Sequence, residues 1–302
     1  MVDYYDHAGV VGEPCSSVAA LAARSELTPD GAKLLIVMVG LPARGKSFIS
    51  NKLLLFFKWT GYNTAVFNAG QHRRKVGRAA PLPAAEEAET HRSASSEASA
   101  GQPLDSRPLL STSNFFDASN QEAKEKREQI AMETLNELLD WLNDGGEIAI
   151  FDATNSNPHR RRAVAERVKE RAKTEEPVRI VFVESICDDR ALLEANFRIK
   201  VRSSPDFRGM SEEEALKDLR ERIGHYERAY ESVTDAEGAY IKIYNLSHKV
   251  TVNNVYGRMS RSVLPFMMAI HTGDRPVFLA ALIPRCGELT FGRNQSDVHR
   301  VQ

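Results

Sequence analysis

The segment Gly40-Leu-Pro-Ala-Arg-Gly-Lys-Ser47 constrains this chain more than any other stretch. It fits the phosphate-binding loop pattern of a glycine, four free positions, then Gly-Lys-Ser/Thr. The flanks complete the unit. Leu34-Leu-Ile-Val-Met-Val39 is apolar and rich in β-branched residues, as a strand buried on both faces should be. Ser47-Phe-Ile-Ser-Asn-Lys-Leu-Leu-Leu-Phe-Phe57 reads as the first turns of a helix. Strand, loop and helix N-terminus together aim backbone N–H groups at a polyphosphate.

Length and charge narrow the rest. The chain has 302 residues, enough for one large α/β domain with additions. Its 40 basic and 41 acidic residues leave a net charge of −1, so no global field draws it to nucleic acid. Cys15, Cys187 and Cys286 are too few and scattered for a disulfide framework or a zinc site. Neither an apolar leader nor a run of membrane-spanning length is present. The expected setting is the cytosol, with no nucleic-acid or membrane partner.

Along the chain, strands alternate with helices. Residues 1–32 lack periodicity and are expected to form a loosely ordered tail. Strands are expected at 34–39, 64–68, 147–152, 178–184, 240–244 and 277–283, and helices at 46–59, 121–142, 189–200, 211–230 and 257–271, with another opening at Asn157-Pro158. His72-Arg-Arg-Lys75 follows the second strand as a basic cluster. Residues 79–112, rich in Ala, Ser, Glu and Pro, are expected to be a disordered insertion. Such alternation implies a P-loop type, doubly wound, mainly parallel sheet with helices on both faces.

Chemistry follows from position. Lys46 is expected to reach the β- and γ-phosphates of ATP, and Ser47 to ligate Mg²⁺. Mg²⁺ keeps several waters, so one further acid suffices, and Asp152 closes a neighbouring strand. Thr154 and Asn155 follow at the strand edge where open α/β sheets bind ligands. The absence of a guanine-selecting Asn-Lys-x-Asp tetrapeptide argues against a GTPase, and a kinase for a small acceptor remains. Fixed positive charge for an anionic acceptor is offered by Arg73, Arg74, Arg160 to Arg162, Lys200 and Arg222, the last sharing a helix face with Tyr226.

Several motifs in order resemble the kinase domain of the 6-phosphofructo-2-kinase/fructose-2,6-bisphosphatase family. They are the loop itself, Val66-Phe-Asn-Ala-Gly70 with Arg73-Arg74, Phe115-Phe-Asp117, Phe151-Asp-Ala-Thr-Asn155, Val183-Glu-Ser-Ile-Cys187, Ser204-Pro-Asp206, and Arg222 with Tyr226. The resemblance covers about residues 33–283 and implies transfer of the ATP γ-phosphoryl group to O2 of fructose 6-phosphate. It places ATP on Gly40, Leu41, Pro42, Ala43, Arg44, Gly45, Lys46, Ser47 and Phe48, with Asn196 to Lys200 alongside. It gives Arg73, Thr154, Arg160, Lys200, Arg222 and Tyr226 to the sugar phosphate. Lys46, Asp152 and Cys187 match active-site positions, although phosphoryl transfer requires no thiol. Where many members carry an arginine after the Phe-Phe pair, this chain has Asp117.

The resemblance implies a kinase domain over 33–272, with 273–302 as the start of a histidine-phosphatase domain. There Arg285-Cys-Gly-Glu288 puts Cys286 at the nucleophilic histidine, so no bisphosphatase activity is expected. A homodimer is compatible with this reading. The alternatives are a P-loop kinase for another small acceptor, or a catalytically weak ATP-binding regulatory subunit.

Overall fold

The computed structural model describes residues 33–79, 113–117, 120–171, 177–245, 249–257 and 259–272. The expected tail at 1–32, nearly all of the 79–112 insertion, and everything expected of 273–302, including the strand at 277–283 and Cys286, lie outside the described residues.

Six strands form one sheet in the order β2-β3-β1-β4-β5-β6. They are β1 (Lys33–Val39), β2 (Thr64–Asn68), β3 (Ile148–Asp152), β4 (Val178–Ile186), β5 (Tyr240–Tyr244) and β6 (Lys249–Asn253). The first five are parallel, and β6 returns antiparallel beside β5. β1 lies between β3 and β4, where the strand order reverses. This reversal opens a crevice at the strand C-termini.

Residues of β1 alternate between two cores, as the period of two demands. Leu34, Ile36 and Met38 pack on Ile49, Leu53 and Phe57 of α1 (Lys46–Trp59). Leu35, Val37 and Val39 face Leu135, Leu138, Leu139 and Leu142 of α3 (Gln121–Asn143). Both faces of β1 are therefore covered, which explains its uninterrupted apolar run.

Two elements depart from the expected pattern. The basic cluster after β2 lies within a helix, α2 (Ala69–Ala79), whose residues are mostly polar. β6 was hidden in the Lys-Val-Thr-Val-Asn stretch before the last helix. That helix opens with a π turn at Met259–Val263 and continues as α7 (Leu264–Thr272). The remaining helices are α4 (Pro158–Arg171), α5 (Arg190–Ser203) and α6 (Glu212–Glu227). α5 and α6 build a small core of their own from Phe197, Val201, Phe207, Ala215, Leu219 and Ile223. The Ser211 and Glu214 capping box opens α6 as expected. Among the described residues, no helix is long and apolar enough to cross a membrane.

Candidate active site

The loop after β1 is held open by backbone geometry. Gly40 has φ of +133°, and a Cβ there would come within 2.6 Å of the Ser185 carbonyl oxygen. Its N–H donates to the Thr154 carbonyl at 2.9 Å, joining the loop to the chain after β3. Gly45, at φ +87°, caps α1 without a side-chain hydrogen bond, and no acid sits in the first turn. An unneutralised helix N-terminus of this kind favours an anion.

Lys46 is buried, and its Nζ donates to the Leu41 carbonyl at 2.6 Å, across the loop. Burial pulls its pKa down to about 7, against the pull of Asp152 and with the repulsion of Lys200 and Arg44. A polyphosphate supplies the counter-charge that would restore the ammonium.

Asp152 is the buried end of β3, and the expected pair of hard oxygen donors is assembled around it. Ser47 Oγ donates to Asp152 Oδ2 at 2.7 Å. Asn68 Nδ2, from the register partner at the end of β2, donates to the same oxygen at 2.6 Å. Asn68 is a second support that sequence reasoning missed. Its signal was the matched ends of two adjacent parallel strands.

Arg44 and Cys187 lie at the base of the loop. The Arg44 guanidinium sits 5.8 Å over the Phe197 ring and 3.6 Å from Glu227 Oε1 at the end of α6. The Arg44 carbonyl accepts from Ser185 Oγ. Burial pushes the Cys187 thiol up, with Arg44 opposing, so it is a packed thiol rather than a thiolate. Leu41, Pro42, Ala43 and Phe48 are half-buried around the loop. Asn196 on α5 has a buried Nδ2 with no hydrogen-bond partner, a donor of the kind a ligand would satisfy.

Beyond this, α2, α5 and α6 contribute a second positive region. Asp206 is its hub: Arg73 pairs with its Oδ2, Arg222 Nη1 lies 3.3 Å from the same oxygen, and Arg74 Nη1 is 3.6 Å from Oδ1. Arg222 also pairs with Asp218 at 2.6 Å. Burial pushes the Asp206 carboxyl up, but the three arginines outweigh it and hold it below the usual range. Lys200, lowered by burial, feels Asp152 and Asp206 on one hand and Arg74 and Arg73 on the other. It is therefore within electrostatic reach of both regions.

Tyr226 packs near Phe116, with ring centroids 6.0 Å apart. Arg160 pairs with Glu128, and its Nη2 reaches the Arg127 carbonyl at 3.5 Å. Arg127, lowered by burial, feels Tyr226, Glu128, Arg160 and Asp117 and donates to the Phe115 carbonyl. Sequence reasoning had no local signal for Arg127, which is one cation on a helix full of charge. Asp117 lies 3.5 Å from His225 Nδ1. Thr154 joins the site through its backbone. Arg162 points to solvent, and Arg161 is buried in a structural role described below.

Comparison with known proteins follows the same line. A family model for 6-phosphofructo-2-kinase matches residues 24–274. The chain is 35% identical to 6-phosphofructo-2-kinase 1 of Saccharomyces cerevisiae over 275 residues, covering 88% of this chain and 29% of that protein. It is 37% identical to a probable 6-phosphofructo-2-kinase of Schizosaccharomyces pombe over 261 residues, 84% of this chain and 34% of that one. A Caenorhabditis elegans 6-phosphofructo-2-kinase/fructose-2,6-bisphosphatase is 35% identical over 250 residues, 81% and 48% of the two chains. The chain thus spans between about a third and a half of the length of these relatives.

Proposed function

This chain belongs to the 6-phosphofructo-2-kinase family, and we propose that it moves the γ-phosphoryl group of ATP to O2 of fructose 6-phosphate, giving fructose 2,6-bisphosphate. The observation that carries this reading is the pairing of two charged regions: a phosphate loop with its buried lysine, and a cluster of arginines gathered on Asp206, with Lys200 within electrostatic reach of both. A P-loop enzyme acting on an uncharged acceptor needs no such second cluster.

In this reading, the N–H groups of Gly40 to Ser47 and the Lys46 ammonium hold the ATP phosphates. Ser47 Oγ and Asp152 Oδ2, already 2.7 Å apart, fit Mg²⁺, which takes hard oxygens and keeps most of its waters. When bound, the ion would draw negative charge from the phosphate oxygens. Asn68 holds Asp152 in its orientation by donating to it. Arg73, Arg160, Arg222 and Tyr226 hold fructose 6-phosphate, and Arg127 adds the positive charge that Asp117 does not. Lys200, within electrostatic reach of both regions, offsets charge on the group in transit. Phosphoryl transfer through a loose transition state asks mainly for position and charge neutralisation, which these residues supply.

The test is formation of fructose 2,6-bisphosphate by purified protein with Mg-ATP and fructose 6-phosphate. Asp152→Ala is the control and should lower kcat at least a hundredfold, the range for losing one electrostatic stabiliser. ATP hydrolysis without this product, or a better turnover with another sugar phosphate, would replace the reading.

A further inference from the structure

Ser185 meets the phosphate loop at two points. It is 2% exposed, one residue before the end of β4. Register puts it there: Glu184 is the partner of Val39, the last residue of β1, so the chain leaving β1 passes beside Ser185. Its carbonyl oxygen backs Gly40, where an added Cβ would fall 2.6 Å away. Its hydroxyl donates to the Arg44 carbonyl, in the second half of the same loop. On its other side Ser185 is in register with Ile243 of β5. A residue held within the sheet therefore grips both limbs of the loop.

The hydroxyl bond matters because of the peptide that it holds. A trans peptide is planar, and its C=O and N–H point to opposite sides. With the Arg44 carbonyl turned to Ser185, the Gly45 N–H is turned away from it. Half a turn of this peptide would exchange the two groups while the chain keeps its path. Such a turn changes φ of the following residue, and glycine accepts either sign of φ at no steric cost. Two loop peptides precede a glycine. The one before Gly40 is pinned by its N–H, which donates to the Thr154 carbonyl. The one before Gly45, at φ +87°, is pinned by its carbonyl on Ser185. Phosphate loops hold phosphates with backbone N–H groups, so a turned peptide sets a carbonyl oxygen where a donor is needed.

We propose that Ser185 is a positioning residue for ATP, a latch that keeps the Arg44–Gly45 peptide from turning and so holds the phosphate loop ready. The inference deepens the function proposed above and rests on its assignment of ATP to this loop. Without the latch, only the fraction of molecules with the peptide correctly turned can bind, and apparent affinity falls by that fraction. Bound ATP draws the peptide back, so the chemical step is spared. Gly45 adjoins Lys46, which reaches the β- and γ-phosphates, so the loss should need a β-phosphate.

The experiment compares Ser185→Ala, Ser185→Cys and Ser185→Thr with the unaltered protein. Calorimetry measures binding of ATP, ADP and AMP with Mg²⁺, and of fructose 6-phosphate. Steady-state assays give kcat and the KM of each substrate. Ser185→Ala should weaken ATP and ADP about tenfold to a hundredfold, the scale of one hydrogen bond to a charged group. AMP and fructose 6-phosphate should bind within about twofold of the unaltered protein. KM for ATP should rise with the lost affinity, while kcat stays within about twofold. Ser185→Thr, which keeps the hydroxyl, should restore ATP binding. If Ser185→Ala does not fold, Ser185→Cys decides, since it places a weaker donor in similar space and should cost at least threefold in ATP affinity. Equal losses for ATP and AMP, unchanged ATP affinity, a fall in kcat with KM unmoved, or Ser185→Thr no better than Ser185→Ala would each overturn the proposal. If the unaltered protein binds no ATP, the assignment of the loop itself fails. If it binds ATP and makes no fructose 2,6-bisphosphate, the proposed reaction fails, and the binding series still decides the latch.

Discussion

Lys46 shows how far one residue's surroundings can set behaviour. Its pKa is drawn from 10.5 to about 7 by burial. Between those values the unfolded chain binds more protons than the folded one, so stability should rise as pH increases through that window. Lys46→Met is expected to flatten that rise, as urea unfolding at several pH values would reveal. ATP phosphates should return the charge to Lys46. Binding at pH 8 is then expected to take up protons, seen as a dependence of calorimetric heat on buffer ionisation enthalpy. Asp117 is the other informative single residue. It sets a negative charge 3.5 Å from His225 and within the influence of Arg127. Asp117→Arg should lower KM for fructose 6-phosphate about threefold to fivefold and leave KM for ATP alone, the scale of a partly exposed charge interaction. Lys46 and Asp152 were legible because each is fixed by a local pattern. Asp206 was not, since its meaning lies in three arginines brought from other elements.

At the scale of elements, legibility followed where stability comes from. β1, α1 and α3 announce themselves because apolar burial at their own period holds them in place. α2 has no such stripe. It is docked by polar contacts and ion pairs: His72 lies 3.3 Å from Glu133 and 3.4 Å from Glu137, and Arg73 and Arg74 pair with Asp206. A helix stabilised by long-range ion pairs leaves no hydrophobic period to read. β6 is a five-residue edge strand whose pairing with β5 decides its state, not its composition. The loop after β1 carries the clearest element-scale prediction. Gly40→Ala forces a Cβ against the Ser185 carbonyl at a φ of +133°. It should cost about 1–3 kcal/mol of stability. The displaced loop should also weaken ATP at least tenfold in a binding titration, while fructose 6-phosphate binding changes less.

For the molecule as a whole, the alternating pattern correctly gave the layers but not the ties between them. Arg161 is one such tie. It is 1% exposed, donates to both oxygens of Glu237 at 2.5 and 2.9 Å, and reaches the carbonyls of Asn155 and Glu231. It thereby joins α4 and the chain after β3 to the segment leading into β5. Arg161→Met leaves Glu237 and two carbonyls without that donor, and should cost about 3–5 kcal/mol in denaturant unfolding. A second tie runs along α6. Its last two turns carry Arg222 and Tyr226, and its last residue, Glu227, meets Arg44 of the phosphate loop. A single rod thus runs from the arginine cluster to the phosphate loop. Whatever fructose 6-phosphate does to the affinity for ATP, ATP must do by the same factor in return. If α6 carries that mutual influence, Glu227→Gln should bring the factor close to one while leaving each affinity, measured alone, almost as it was. The helix would then work as a balance beam, letting the enzyme hold either partner loosely until the other arrives.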